Sequence, residues 1–215
     1  MLEPASVLPE AIYASLRAGI IEQRYEPGST ITESTVAILF GVARPTAKIA
    51  IERLVSEGLL RRELHQAARV PLLDRDDIID LFDNRAVVEA AAASALAAVG
   101  AVPADAMAAH RALLADTHDF AENDIAFHRA LVAGQPSARL ARMHALLMGE
   151  VELCIGQVQA AHLLTATEVG VQHQGILDAI TGGDPDEAAR LIRDHIIGAR
   201  DALLAHVQRE AQANG

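Results

Sequence analysis

Tryptophan is absent, and the 215 residues include only four Phe, two Tyr and one Cys. A single cysteine excludes an internal disulfide. Cys154 lies in an apolar segment with no cationic neighbour in sequence, so it reads as a small buried hydrophobe and not as a nucleophile. This cysteine usage fits a reducing cytoplasm. No basic start precedes an apolar stretch: residues 1–10 contain Glu and Pro, so no secretory signal is legible. The longest apolar run, Ala90 to Val102, falls short of the roughly 20 residues that a membrane span needs. It reads as a buried helix. What remains is 51% hydrophobic, mostly Ala and Leu, a composition that favours helices over sheets.

The net charge of −11 argues against nucleic-acid binding only if spread evenly. It is not. The residues before Asp74 hold eight basic and eight acidic side chains, whereas the remainder holds 10 basic and 21 acidic ones. A neutral N-terminal part can still carry a local basic face.

Along that part, Ile12, Leu16 and Ile20 recur at four-residue spacing within a helix predicted from Pro9 to Gln23. Tyr25-Glu-Pro-Gly28 is a turn. Thr32 is a candidate N-cap for a short helix ending before Gly41. A third helix starts near Arg44, with Pro45 in its first turn, and Ala47, Ala50, Ile51 and Leu54 line one face. Gly58 is a C′ stop. Residues 59–62 and 68–71 then read as two short strands of a hairpin. This order is that of a winged helix-turn-helix, whose third helix enters the major groove. Arg44, Thr46 and Lys48 are the candidates to reach bases and phosphates. The bland alternative for them is an ordinary solvated helix face.

Ile31-Thr-Glu33, Val36-Ala37, Phe40-Gly-Val-Ala-Arg44 and Arg53-Leu-Val-Ser-Glu-Gly-Leu-Leu60 resemble the DNA-binding domain of the GntR family of bacterial regulators over about residues 8–71. The resemblance implies operator binding and adds Glu33 and, on the wing, His65 to the DNA-binding candidates. Ala43 replaces the family's usual Ser, Pro45-Thr46 inverts the usual Thr-Pro, and Lys48 and Ile49 stand for the usual Arg and Glu.

From Asp74 onward only helical patterns appear, six or seven of them, separated by Gly100–Pro103, Gly134-Gln-Pro136, a junction at 163–167 and Gly182-Gly-Asp-Pro185. The division expected is a winged helix-turn-helix over 1–73, an all-α domain over 74–208 and a disordered polar tail over 209–215. Most of the nine histidines read as surface or half-buried positions, among them His110, His118, His144, His162 and His206. His128 differs. Asp124 lies four residues before it, on the same face and one turn away. His173 and His195 lie on two further helices joined by a tight turn. One Asp and three His gathered from three helices can close around a metal ion. The nitrogen and oxygen donors suit zinc, nickel, manganese or iron.

Asp124-x-x-Phe-His128, His173-x-x-Ile-Leu-Asp-Ala, Gly183-Asp184 and His195-Ile are similar to the metal-binding form of the FadR C-terminal (FCD) domain over residues 75–208. The resemblance implies a divalent metal held by Asp124, His128, His173 and His195, and a small carboxylate effector meeting Arg85 of an Arg-x-x-x-Glu pattern with Glu89. Gln135 and Gln172 depart from the family's usual Asn and Glu.

The expectation is a cytoplasmic, homodimeric repressor, not an enzyme and not a membrane protein, that binds double-stranded operator DNA under control of a small organic acid. The alternatives are a regulator in which the metal itself is the signal, a metal that is purely structural, and a metal-dependent hydrolase. The hydrolase lacks a separate general base and leaves the winged helix without a role.

Overall fold

The computed structural model describes residues 4–64, 66–115, 120–157 and 163–213. The N-terminal part opens with α1 (Pro4–Ile21), then β1 (Thr30–Ile31), α2 (Glu33–Phe40), α3 (Arg44–Ser56) and β2 (Ala68–Arg69). Ile12, Leu16 and Ile20 of α1 pack with Ala47, Ile51 and Leu54 of α3, all essentially inaccessible to solvent. Thr32 caps α2 by accepting the Thr35 N–H, and Gly41 and Gly58 end their helices in the left-handed region that favours glycine. At Ala43 the N-cap of α3 has no side-chain hydrogen bond.

The wing differs from the hairpin expected. β2 pairs antiparallel with β1, Thr30 opposite Arg69 and Ile31 opposite Ala68, while residues 59–62 contribute a single bridge between Arg61 and Arg69. The reason is that Leu59 and Leu60 are committed to the core and Arg62 turns away to pair with Glu33 and Glu52.

The C-terminal part is built from α4 (Arg75–Ala97), α5 (Ala104–Ala115), α6 (Phe120–Gly134), α7 (Ala138–Gln157), α8 (Ala166–Thr181) and α9 (Pro185–Ala213). Asp74 opens α4 with a reciprocal capping box through Asp77, and Thr165 opens α8 in the same way with Glu168. α4 is the central helix, packed against α6, α7, α8 and α9. Its Ala86, Ala90, Ala93 and Ala97 are buried, so neighbouring helices approach closely on more than one side. The tail expected to be disordered from 209 continues α9 through Ala213; Gln, Arg, Glu and Ala there are all good helix formers.

Helix α7 joins the two parts. Its Met148, Val151 and Cys154 lie in the C-terminal core, whereas Leu153 lies in the N-terminal core. Gly149 and Gly156 let its backbone meet the other domain directly: a Cβ at either would collide with the carbonyl oxygen of Glu57 or Ile21. Ion pairs Arg17–Glu152 and Arg61–Glu150 flank that seam. Among the described residues no single helix is long and apolar enough to cross a membrane.

Candidate metal centre

The four expected donors converge. One ligand atom from each of Asp124, His128, His173 and His195 lies within 4.8 Å of every other. Asp124 Oδ1 is 3.6 Å from His128 Nε2, 3.1 Å from His173 Nε2 and 4.0 Å from His195 Nε2. Helix α6 supplies Asp124 and His128 one turn apart, α8 supplies His173 and α9 supplies His195. The three imidazoles are buried. The His173 ring lies flat on Phe127, centroids 3.7 Å apart, so its plane is set by packing.

Two rings have their tautomers set from behind. His128 Nδ1 lies 2.5 Å from Glu89 Oε2, and an ionised carboxylate only accepts, so Nδ1 donates. His195 Nδ1 donates to Gln172 Oε1 at 2.6 Å. In the neutral form of each ring, the Nε2 atom therefore turns a lone pair to the centre, the two 3.1 Å apart. Asp124 Oδ1 and His173 Nε2, both buried, have no hydrogen-bond partner of acceptable geometry. Inward lone pairs and orphaned donor atoms fit a cation at their midpoint, with supporting hydrogen bonds of the kind metal-bound histidines receive.

The electrostatics agree. Burial pushes the His173 imidazole down to about 4, and burial followed by repulsion from His128 pushes His195 well below its ordinary value. Both rings are neutral at pH 7 and able to ligate. Burial opposes the Asp124 and Glu89 charges. His128 and His173 outweigh that cost at Asp124, and Arg85 and His128 at Glu89, so both carboxyls stay well below the usual range. Burial works against the charged form of His128, yet Glu89 and Asp124 raise it.

Glu89 was legible from sequence only as the neighbour of Arg85. Here it is the hub of a buried network: Oε1 accepts from Arg85 Nε at 2.6 Å and from His144 Nε2 at 2.9 Å, while Oε2 holds His128. His144 and His110 are buried, whereas surface or half-buried positions were expected. His110 Nε2 contacts Gln174 Oε1 at 3.1 Å, and His206 is half-buried as expected. The spacings between Glu89, His128 and His144 carry no local periodicity, so nothing in the sequence signals the network. Gln135 is turned to the α6–α7 corner, bonding Val132 O, Ser137 O and Ser137 N.

Arg85 is 3% exposed, and its Nη2 has no partner. It lines a cavity of about 70 Å³ together with Asp124 and His195. The expected anion partner and two of the expected metal donors thus line one space.

In the N-terminal part, Arg44 and Lys48 are exposed on the outer face of α3, Thr46 is half-buried beside them, and neither cation has an ion pair among the described residues. Glu33 is paired with Arg62 at 3.2 Å. His65 lies outside the described residues.

Residues 80–198 match the model of the FCD domain, and residues 8–70 match that of the bacterial regulatory proteins of the gntR family. The chain is 26% identical to the HTH-type transcriptional repressor NanR of Cronobacter sakazakii, covering 88% of this chain and 82% of that protein. It is 25% identical to the putative L-lactate dehydrogenase operon regulatory protein of Escherichia coli K12, covering 93% and 83%. Its fold is similar to the crystal structure of a putative GntR transcriptional regulator from Rhodococcus sp. RHA1, with a TM-score of 0.73, 23% identity and coverage of 92% and 97%.

Proposed function

The chain belongs to the GntR family of transcriptional regulators and carries an FCD domain, and from that premise we propose that it is a metal-dependent repressor released from its operator by a small carboxylate. The observation that carries this reading is the unpartnered Nη2 of buried Arg85, in the same cavity as Asp124 and His195. A guanidinium fork matches a carboxylate. The four donors Asp124, His128, His173 and His195 would hold a divalent zinc, nickel, manganese or iron ion. Such an ion supplies a second anchor for the same acid. The matching families and relatives are regulators, not enzymes, so the site is read as one of coordination without turnover.

Arg85 and the donors hold the acid, and Glu89 keeps Arg85, His128 and His144 in register. His144 is on α7, the helix whose Gly149 and Gly156 lie against the DNA-binding part. A shift at Glu89 is therefore passed to the seam. The acid acts through its differential affinity for the two domain arrangements. On DNA, Arg44, Thr46 and Lys48 face the major groove, Glu33 braces Arg62, and His65 is a further candidate contact. The protein works as a cytoplasmic homodimer, because operators read by helix-turn-helix proteins have two half-sites.

The test is electrophoretic mobility on the operator flanking the protein's own gene, with metal-loaded and chelated protein, across a panel of small organic acids. The expected result is release by at least one acid, lost on chelation and in Arg85→Ala. Binding that ignores both the acids and the metal overturns the reading.

A further inference from the structure

The chemistry of the cavity beyond the metal donors narrows what it takes. Its polar lining consists of Arg85, Asp124 and His195. The rest is Phe82, Ile155, Leu163, Leu164, Val169 and Leu203, with three alanines. Among the described lining residues no Ser, Thr, Asn, Gln or Tyr offers a hydrogen bond. On α9 the lining passes from His195 through Ala199 and Ala202 to Leu203, which at 1.5 Å per residue spans roughly 12 Å along one face. On α4 it passes from Arg85 to Phe82, one turn away. The space thus has a charged end and an apolar extension. A volume of about 70 Å³, at roughly 10–15 Å³ per water-sized group, admits about five to seven such groups.

We propose that the acid selected here is a monocarboxylate of about three to five carbons with a hydrocarbon body, and not a polyhydroxylated sugar acid or a dicarboxylate. This inference rests on the reading of the cavity as an effector site. A hydroxyl placed against the α9 and Phe82 surface loses its water and gains no partner, which weakens binding by roughly 10- to 100-fold. A second carboxylate there is disfavoured more strongly, because a buried charge needs pairing.

Three five-carbon acids separate the classes: isovalerate, ribonate and glutarate, with acetate as the bare carboxylate. Each is titrated calorimetrically into the manganese-loaded full chain, and in parallel as a competitor of operator binding. Isovalerate is expected to bind at least tenfold tighter than ribonate, glutarate and acetate. Ala202→Ser, a small change on the lining, is expected to narrow the gap between isovalerate and ribonate, and Leu203→Asn to narrow it further. Equal or tighter binding of ribonate or glutarate overturns the proposal. Binding of acetate with no gain for isovalerate also overturns it, yet leaves the effector reading standing. If all four acids fail to bind protein that retains its metal, the effector reading falls and this proposal with it.

Discussion

His128 and His195 point Nε2 at Nε2 across 3.1 Å, although each ring already spends its Nδ1–H on an acceptor, Glu89 and Gln172 respectively. With both rings neutral, as metal ligation requires, two lone pairs at that distance repel unless a cation lies between them. Zinc or manganese added to chelated protein is therefore expected to raise Tm. At a metal concentration of 100 Kd the gain is about 2.7 kcal/mol, or roughly 5–10 °C for a chain of this size. Differential scanning fluorimetry reads the shift, and His195→Ala should abolish most of it. A shift that survives in that variant would place the ion elsewhere.

Glu89→Gln keeps the shape of the buried hub and removes its charge. Arg85 then loses its carboxylate and His128 its strong acceptor. Metal affinity should fall roughly 10- to 100-fold. Removing one partner of a buried ion pair costs about 3–5 kcal/mol, which urea unfolding of the chelated protein would show. A chelator competition titration gives the affinity. Unchanged affinity would mean that Glu89 supports packing alone.

Arg44→Ala and Lys48→Ala should each weaken operator binding and lower the slope of log affinity against log salt by about 1. Fluorescence anisotropy at several salt concentrations measures both. If Arg44 reads a base, its variant also loses discrimination between operator and random DNA, whereas the Lys48 variant weakens both equally. Glu33→Gln removes one of the two carboxylates that hold Arg62, so a pure loss of affinity there would point to bracing and not to direct contact.

A Cβ at Gly149 collides with the Glu57 carbonyl, whereas one at Gly198 meets nothing within 4 Å. Gly149→Ala should cost about 1–3 kcal/mol by overpacking the seam. Gly198→Ala should stabilise α9 by about 0.5–1 kcal/mol. Equilibrium unfolding of the two variants tests the contrast. If α7 passes the signal, Gly149→Ala also blunts acid-induced release from DNA while leaving metal affinity intact.

Acid should destabilise the chelated protein in a defined window. His173, lowered to about 4, and His195, lowered well below its ordinary value, are neutral in the folded state while the unfolded chain protonates them near about 6.5. Their contribution is complete above that value and declines as pH falls below it, for His173 until about 4. His128, raised by Glu89 and Asp124 against the effect of burial, works in the opposite sense: its contribution is present below about 6.5 and is lost as pH rises through its folded value. Two lowered rings against one raised ring leave a net loss on acidification. Denaturant midpoints at pH 7.5, 6.5 and 5.5 should fall in that order, and a flat series would contradict the burial of neutral imidazoles.

Much of this architecture was legible in the sequence because it rests on local rules. The apolar spacing in α1 and α3, the cap at Thr32, the stops at Gly41 and Gly58, and the Asp124–His128 pair within one turn all follow from helix geometry and hold wherever the helix is placed. The expected donors meet in space as read. The errors were of the opposite kind. Ala68–Arg69 chose β1 as its partner because Leu59 and Leu60 were needed in the core. His110 and His144 read as ordinary polar positions until packing buried them.

The sequence alone determined the helical class, the winged N-terminal module and the candidate donors at Asp124, His128, His173 and His195, since periodicity, capping and residue chemistry are encoded within a few turns. Only the tertiary structure decided that Glu89 joins Arg85, His128 and His144, that Arg85 keeps one donor unpartnered and lines a cavity with Asp124 and His195, and that α7 lies backbone-close to the DNA-binding part. Those relations depend on which helix faces pack against which, and a side chain's partners in a buried network come from elements far apart along the chain.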